Sequence, residues 1–297
     1  MTGLANLTRR NCKLFFKDKG MFFTSLITPG ILLVLYVTFL AGVYRDSFVS
    51  AMPAGFTVDS ALIDATVGGQ LVSSLLAVCC VTVAFCSNLL MVQDKVTGAI
   101  RDLTVTPLRR STLAVSYFLA SALTTLIISF TALALGLLYL VKMGWYLSAG
   151  DVCLIVLDVT LLSLFGTALA CVVNAPLSTN GQASAVGTIV SAGYGFICGA
   201  YMPISSFGTG LQRVISFLPG TYGTSLLRNH FLKGVYAEMA ETGFPAQVVE
   251  GIKDSIDCNL YFFDRSVAQS TMYLILGGAV VVLIGVYVLL TLRRRSR

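Results

Sequence analysis

Charge is scarce in this chain: only 11% of its 297 residues are charged, against 56% hydrophobic. A soluble domain carries about 25% charged residues, and one core cannot hide this much apolar surface. The composition therefore places the chain in a membrane. There is one histidine, which speaks against a His-based catalytic set. No Cys-x-x-Cys pair and no Cys/His pair of metal-ligand spacing occurs among the eight cysteines, which excludes a zinc centre and a disulfide framework. No Gly-Lys dipeptide occurs either, and a phosphate-binding loop requires one before its Ser or Thr. The chain is accordingly read as no enzyme, with no cofactor of its own. The net charge of +6 is not laid out as a basic face with interleaved aromatics, so no nucleic-acid partner is expected.

The apolar residues fall in runs. Each run exceeds or approaches the roughly 20 residues needed to cross a bilayer. The reading is an all-α membrane protein with six transmembrane helices, at about Met21–Val43, Ala65–Val92, Ser111–Val141, Val152–Val173, Gly181–Met202 and Val267–Leu292. The first is too long for the core of a cleavable signal peptide and is read as a retained anchor. No charge separates the fourth helix from the fifth, and the turn residues of Asn174–Gly181 supply the break. Residues 4–19 come before the first span. There Leu4, Leu7, Leu14 and Phe15 alternate at helical spacing with Arg9, Arg10, Lys13, Lys17 and Lys19. This suits an N-terminal interfacial amphipathic helix, or a solvated basic leader.

Between the second and third spans lies an island, QDKVTGAIRDLTVTPLRR, at residues 93–110. Thirteen of the twenty Lys and Arg fall in the N-terminal segment, this island and the C-terminal tail. The positive-inside rule then puts both termini and the island in the cytosol of a multi-pass cell-membrane protein. In residues 203–266 the first half, through Gly234, is too apolar for an ordinary external loop and too interrupted by Pro203, Gly208, Gly210, Pro219 and Gly220 for a crossing. Two short helices dipping into the outer leaflet, a re-entrant helical hairpin before the last helix, fit this half. The second half, Tyr236–Arg265, carries most of the external acids and reads as a small exterior cap.

Three stretches carry a family likeness. They are Asp94-Lys-Val-Thr-Gly98 followed by Leu103-Thr-Val-Thr-Pro-Leu108; Phe217-Leu-Pro-Gly-Thr-Tyr222 with Leu226-Leu-Arg228 and Lys233-Gly234; and the basic N-terminus leading to Pro29. The chain resembles the permease (transmembrane) subunits of type-2 ATP-binding-cassette (ABC) exporters, a family handling drugs, antibiotics, lipids and lipid-linked glycans. The resemblance implies one permease domain over residues 1–297 that dimerises with itself or a homologous permease. Helices two and five would line its route. A separate ABC ATPase subunit, carrying the ATP and magnesium, would dock on the island through Asp94, Lys95, Gly98, Arg101, Asp102 and Pro107. Family members commonly have a Thr and an acid soon after the loop glycine. Here Ala99, Ile100 and Arg101 come before Asp102, so Asp94 and Asp102 both stand as the partner-facing acid.

Pro219, Tyr222 and Arg228 are candidates for an external gate; Arg228 would satisfy helix-end carbonyls or meet an anionic head group. Asp158 is the one acid well inside an expected span, and an intramembrane carboxylate is a functional candidate by default. It reads either as a structural partner of a Tyr, Lys142 or the cap, or as the site of an ion- or proton-coupled carrier. Small residues at Ser191, Gly195 and Gly199, and at Gly68, Gly69 and Ser73, allow close helix approach within or between subunits. Cys258 is the cysteine that falls in a polar loop.

Overall fold

The computed structural model describes residues 2–50, 59–105, 109–263 and 265–293. The N-terminal helix α1 (Thr2–Lys17) buries Leu7 and Phe15 and packs along the third long helix. Its apolar stripe is therefore covered partly by protein. Asp18 then caps α2 (Lys19–Leu35), accepting a hydrogen bond from the Met21 amide, and a π-helical turn, Tyr36–Leu40, leads into α3 (Ala41–Ser50). Together they form the first apolar span, which runs on to Asp46.

The second span is α4 (Ser60–Val96), capped by Asp59. It is the central post of the molecule, flanked by α2, α6 (Arg110–Met143), α7 (Ala149–Asn174), α8 (Asn180–Ile197) and α10 (Pro219–Glu241). A helix apolar all round belongs in a core, and 89% of its apolar window is buried. In α12 (Gln269–Arg293), on the periphery, the figure is 17%. Little of α4 is left to line a route between protomers, contrary to the expectation for helix two. Gly68 lies against Leu140 and Gly69 against Leu232, so those glycines serve packing within the chain.

Among the described residues five helices are long and apolar enough to cross a membrane: Lys19–Asp46, Ser60–Val96, Ser111–Met143, Ala149–Asn174 and Gln269–Thr291. The fifth expected crossing, Gly181–Met202, corresponds to α8, which is 18 residues long and not one of those five. It stops at Ile197 because Gly199 takes a positive φ of 73° and the chain folds back. The amides of Ala200 and Tyr201 both donate to the Gly195 carbonyl, and the Tyr201 ring covers Gly195.

The expected pair of short helices is unequal. The first, α9 (Thr209–Ile215), has 7 residues; the second, α10, has 23 and runs on through Tyr236 to Glu241. That correction takes Tyr236–Glu241 out of the cap. The cap consists of α11 (Ala246–Ser255) and a two-stranded antiparallel ribbon, β1 (Tyr261–Phe262) with β2 (Arg265–Ser266). Pro219 sits in the first turn of α10, where its missing N–H costs nothing. Helix α10 runs antiparallel to α7: Gly220 faces Phe165, Gly223 faces Leu162, His230 meets Asp158 and Lys233 meets Asp151. Its N-terminus consequently starts about midway along α7.

Candidate functional site

The island begins as the last turn of α4. Leu90 and Met91 are buried, and Asp94, four and three residues later, continues their face. Its carboxylate is 5% exposed and accepts hydrogen bonds from Arg10 at 2.7 and 3.2 Å and from the Tyr117 hydroxyl at 2.5 Å. This hydrogen bond raises the Arg10 pKa above its ordinary value, against the lowering effect of burial. Lys95 Nζ donates to the carbonyls of Asn174, Ala175 and Leu177, closing the end of α7. Asp94 and Lys95, expected to meet the ATPase, are both engaged with groups of their own chain. They tie the end of α4 to α1, α6 and the α7–α8 turn.

Gly98 then takes a φ of 82°, a left-handed conformation that suits glycine, and starts α5 (Ala99–Val105). Arg101 and Asp102 are exposed on it, and Val105 is 88% exposed. Pro107 lies outside the described residues. Behind α5 a cavity of about 350 Å³ is lined by Met91, Ile100, Leu113, Tyr117 and Tyr287. Deeper in, Asn88 donates to Ser121 at 3.2 Å and accepts from Asn174 at 3.2 Å, joining α4, α6 and α7.

At the other end of the bundle Asp158 has company. His230 Nδ1 lies 2.6 Å from its Oδ2, and the Tyr273 hydroxyl donates to its Oδ1. Asp158 is 1% exposed and His230 3%. Two turns up α7, Asp151 closes a capping box with Ser148 and accepts from Lys233 at 2.8 Å. A Tyr partner was among the alternatives for Asp158 and is found in Tyr273, whereas His230, 72 residues away in sequence, was not among them. Spacing gave no signal for the pairing, since His230 and Lys233 are three residues apart and Asp151 and Asp158 seven.

Arg228 is 1% exposed and meets no head group. Its guanidinium donates to the Ile256 carbonyl and the Asp257 carboxylate at 3.0 Å, to Ser74 Oγ at 3.2 Å, and to the Gly199 carbonyl. Asp257 in turn accepts from the amides of Ile204 and Ser205 at 2.7 and 3.3 Å. The pair thereby joins α10 to α4, the end of α8, the Ile204–Ser206 turn and the cap. Tyr222 is buried and donates to the Ser216 carbonyl at 2.5 Å, fixing α9 against α10. Cys258 does lie in the loop between α11 and β1, but its thiol is buried beside the Tyr236 hydroxyl, and burial pushes its pKa up to about 11. Among the described residues no His, Cys, Asp and Glu side chains group so as to hold a metal ion.

Residues 61–287, from the first turn of α4 to near the end of α12, match the sequence model of the family described as ABC-2 family transporter protein. The chain belongs to the ABC-2 transporter family. No curated protein matches it. Membership makes the chain a membrane subunit of an ABC transporter, itself not catalytic, in a family that works with ATP-binding-cassette partners. Every site above falls inside the ABC-2 match except Arg10, whose helix comes before it.

Proposed function

We propose that the chain is the permease of an ATP-driven exporter of the cell membrane, with both termini and α5 in the cytosol. Two copies, or one copy and a homologous permease, form the pathway. An ABC ATPase subunit that carries the ATP and magnesium docks on α5. The observation that carries this reading is the contrast along the island: Arg101 and Asp102 are exposed on α5, while Asp94 and Lys95 anchor its base. Force applied to α5 passes through that base into α1, α6 and α7. The α8 face, with Ile189 and Phe196 exposed, is offered to the second copy, and α9 with the start of α10 forms the re-entrant element. The cargo is an amphipathic molecule such as a drug, antibiotic, lipid or lipid-linked glycan, in keeping with the exposed apolar side chains of Phe217 and Leu218.

Co-purification from the native membrane tests it. The tagged chain should bring down a nucleotide-binding subunit, and Asp102→Lys with Arg101→Glu should cut both recovery and cargo export at least about tenfold, on the scale of an interface charge contact. Unchanged recovery and export would sink the reading.

A second reading, an ion- or proton-coupled secondary transporter, is favoured by the buried Asp158–His230–Tyr273 cluster, since intramembrane ionisable groups mark proton paths. In that case an imposed pH gradient drives uptake into proteoliposomes without ATP, and Asp158→Asn abolishes it.

A further inference from the structure

A large cavity lies at the outer end of the bundle and has no part in the coupling reading. Its volume is about 710 Å³, within the range of sites for drug-sized ligands. It opens between the π-helical turn and α3 on one side, α4 on the second, and the Tyr201–Ser206 turn with α11 on the others. Gln70 lines it, about 36 Å along α4 from Asp94 at 1.5 Å per residue.

Gln70 is 3% exposed, and its buried amide Nε2 has no hydrogen-bond partner among the described residues. A buried donor of this kind is costly to leave unmade, and natural structures rarely do so. Around it stand hydroxyl and amide groups, among them Tyr44, Ser205 and Gln247, and apolar walls that include Val67 and Ile252. Among the described residues no charged side chain lines the cavity. The wall beside it is held in register by an unusual device: the Tyr36 hydroxyl, in the π-helical turn, donates to the Val67 carbonyl on α4. Turns of this type recur at functional sites because they re-aim side chains.

We infer that this outer cavity is a binding site for an uncharged amphiphile whose head group carries hydroxyl or carbonyl oxygens, one of which accepts a hydrogen bond from Gln70 Nε2. A charged head is disfavoured, because it would leave water with no counter-charge in the lining. A plain hydrocarbon is disfavoured because it leaves the Gln70 donor unmet. The site needs neither nucleotide nor a second subunit, so it stands or falls separately from the coupling reading.

A diazirine-bearing octyl glucoside, used on the full-length chain in nanodiscs, tests the assignment. Labelling should saturate, map to peptides spanning Thr66–Gln70 and Gln247–Ile256, and be displaced by unlabelled octyl glucoside but not by octyl sulfate or octyltrimethylammonium. Gln70→Leu should raise the half-saturating concentration about tenfold, the size of one hydrogen bond to a buried group. The same variant should melt no lower than the parent, since it removes an unmet donor. A rim variant, Ser205→Ala with Gln247→Ala, should weaken labelling about threefold and keeps the test open if Gln70→Leu fails to fold. Three results would overturn the assignment: labelling spread over the peripheral faces of α2, α6 and α12, equal displacement by the charged amphiphiles, or labelling indifferent to Gln70→Leu.

Discussion

Arg228 donates to two backbone carbonyls, a hydroxyl and the Asp257 carboxylate inside the protein, so its loss strands several groups at once. Breaking one side of a buried ion pair costs about 3–5 kcal/mol, because the surviving charge stays buried and unmatched. Arg228→Met should therefore lower stability in detergent by that amount, read from the unfolding midpoint of purified protein. Asp257→Asn added to it should cost less than the sum of the two single changes, with a coupling energy above about 1 kcal/mol. Additive effects would mean that the pair is not a unit. Arg228 stood out in the sequence as an arginine beside a re-entrant stretch, but its partners did not. Asp257 sits 29 residues away, held at a positive φ of 55° in a loop with no periodicity to read. Asp94 is the opposite case. Its spacing from Leu90 and Met91 was enough to place it on the buried face, and reading the island as a loop from Gln93 onward hid that signal.

At the scale of elements, long uncharged runs were readable because length and apolarity act locally. The spans at α4, α6 and α7 follow from them to within a few residues. What composition did not disclose was which of these helices is central, since that depends on how the others stack around it. Nor did it disclose the full length of α10, whose glycines look like breaks. Those glycines serve close approach to neighbouring elements. Gly234 is the clearest instance: a Cβ there would overlap the Tyr146 carbonyl oxygen, which belongs to the backbone of the α6–α7 connection and cannot swing aside. Gly234→Ala should cost about 2–3 kcal/mol or more, the upper part of the range for overpacking. It should speed hydrogen exchange along α10 and the N-terminal half of α4, which it packs against. Gly243, unlike Gly234, has a positive φ, and no described atom lies within 4 Å of where its Cβ would sit. Changed to Ala, it should show only the strain of its backbone, about 1–2 kcal/mol. Equal exchange profiles for the two variants would refute the packing argument for Gly234.

The whole molecule has two ends of opposite character, and the orientation argument rests on that asymmetry. One end carries α1, α5 and the last turns of α12; the other carries the Asp151–Lys233 pair, the cap and the Gln70 cavity. By sequence, thirteen of the twenty basic residues fall in the N-terminal segment, the 93–110 island and the C-terminal tail, short segments where the positive-inside rule applies. Cysteine accessibility reads this out directly, because the chain's own thiols interfere little. Among the eight, only Cys153 is exposed and Cys12 is half-buried, so replacing both with Ser leaves a quiet background. In that background Glu241→Cys, at the end of α10, should react with a membrane-impermeant maleimide on intact cells. Asp102→Cys, on α5, should react only after permeabilisation. The reverse pattern would put the basic end outside and remove α5 from reach of any cytosolic ATPase. Reaction of both in intact cells would mean that the two ends do not lie on opposite sides of the membrane. The expected pattern leaves α5 as the short cytosolic helix between the two long spans, with the Gln70 cavity open to the other side.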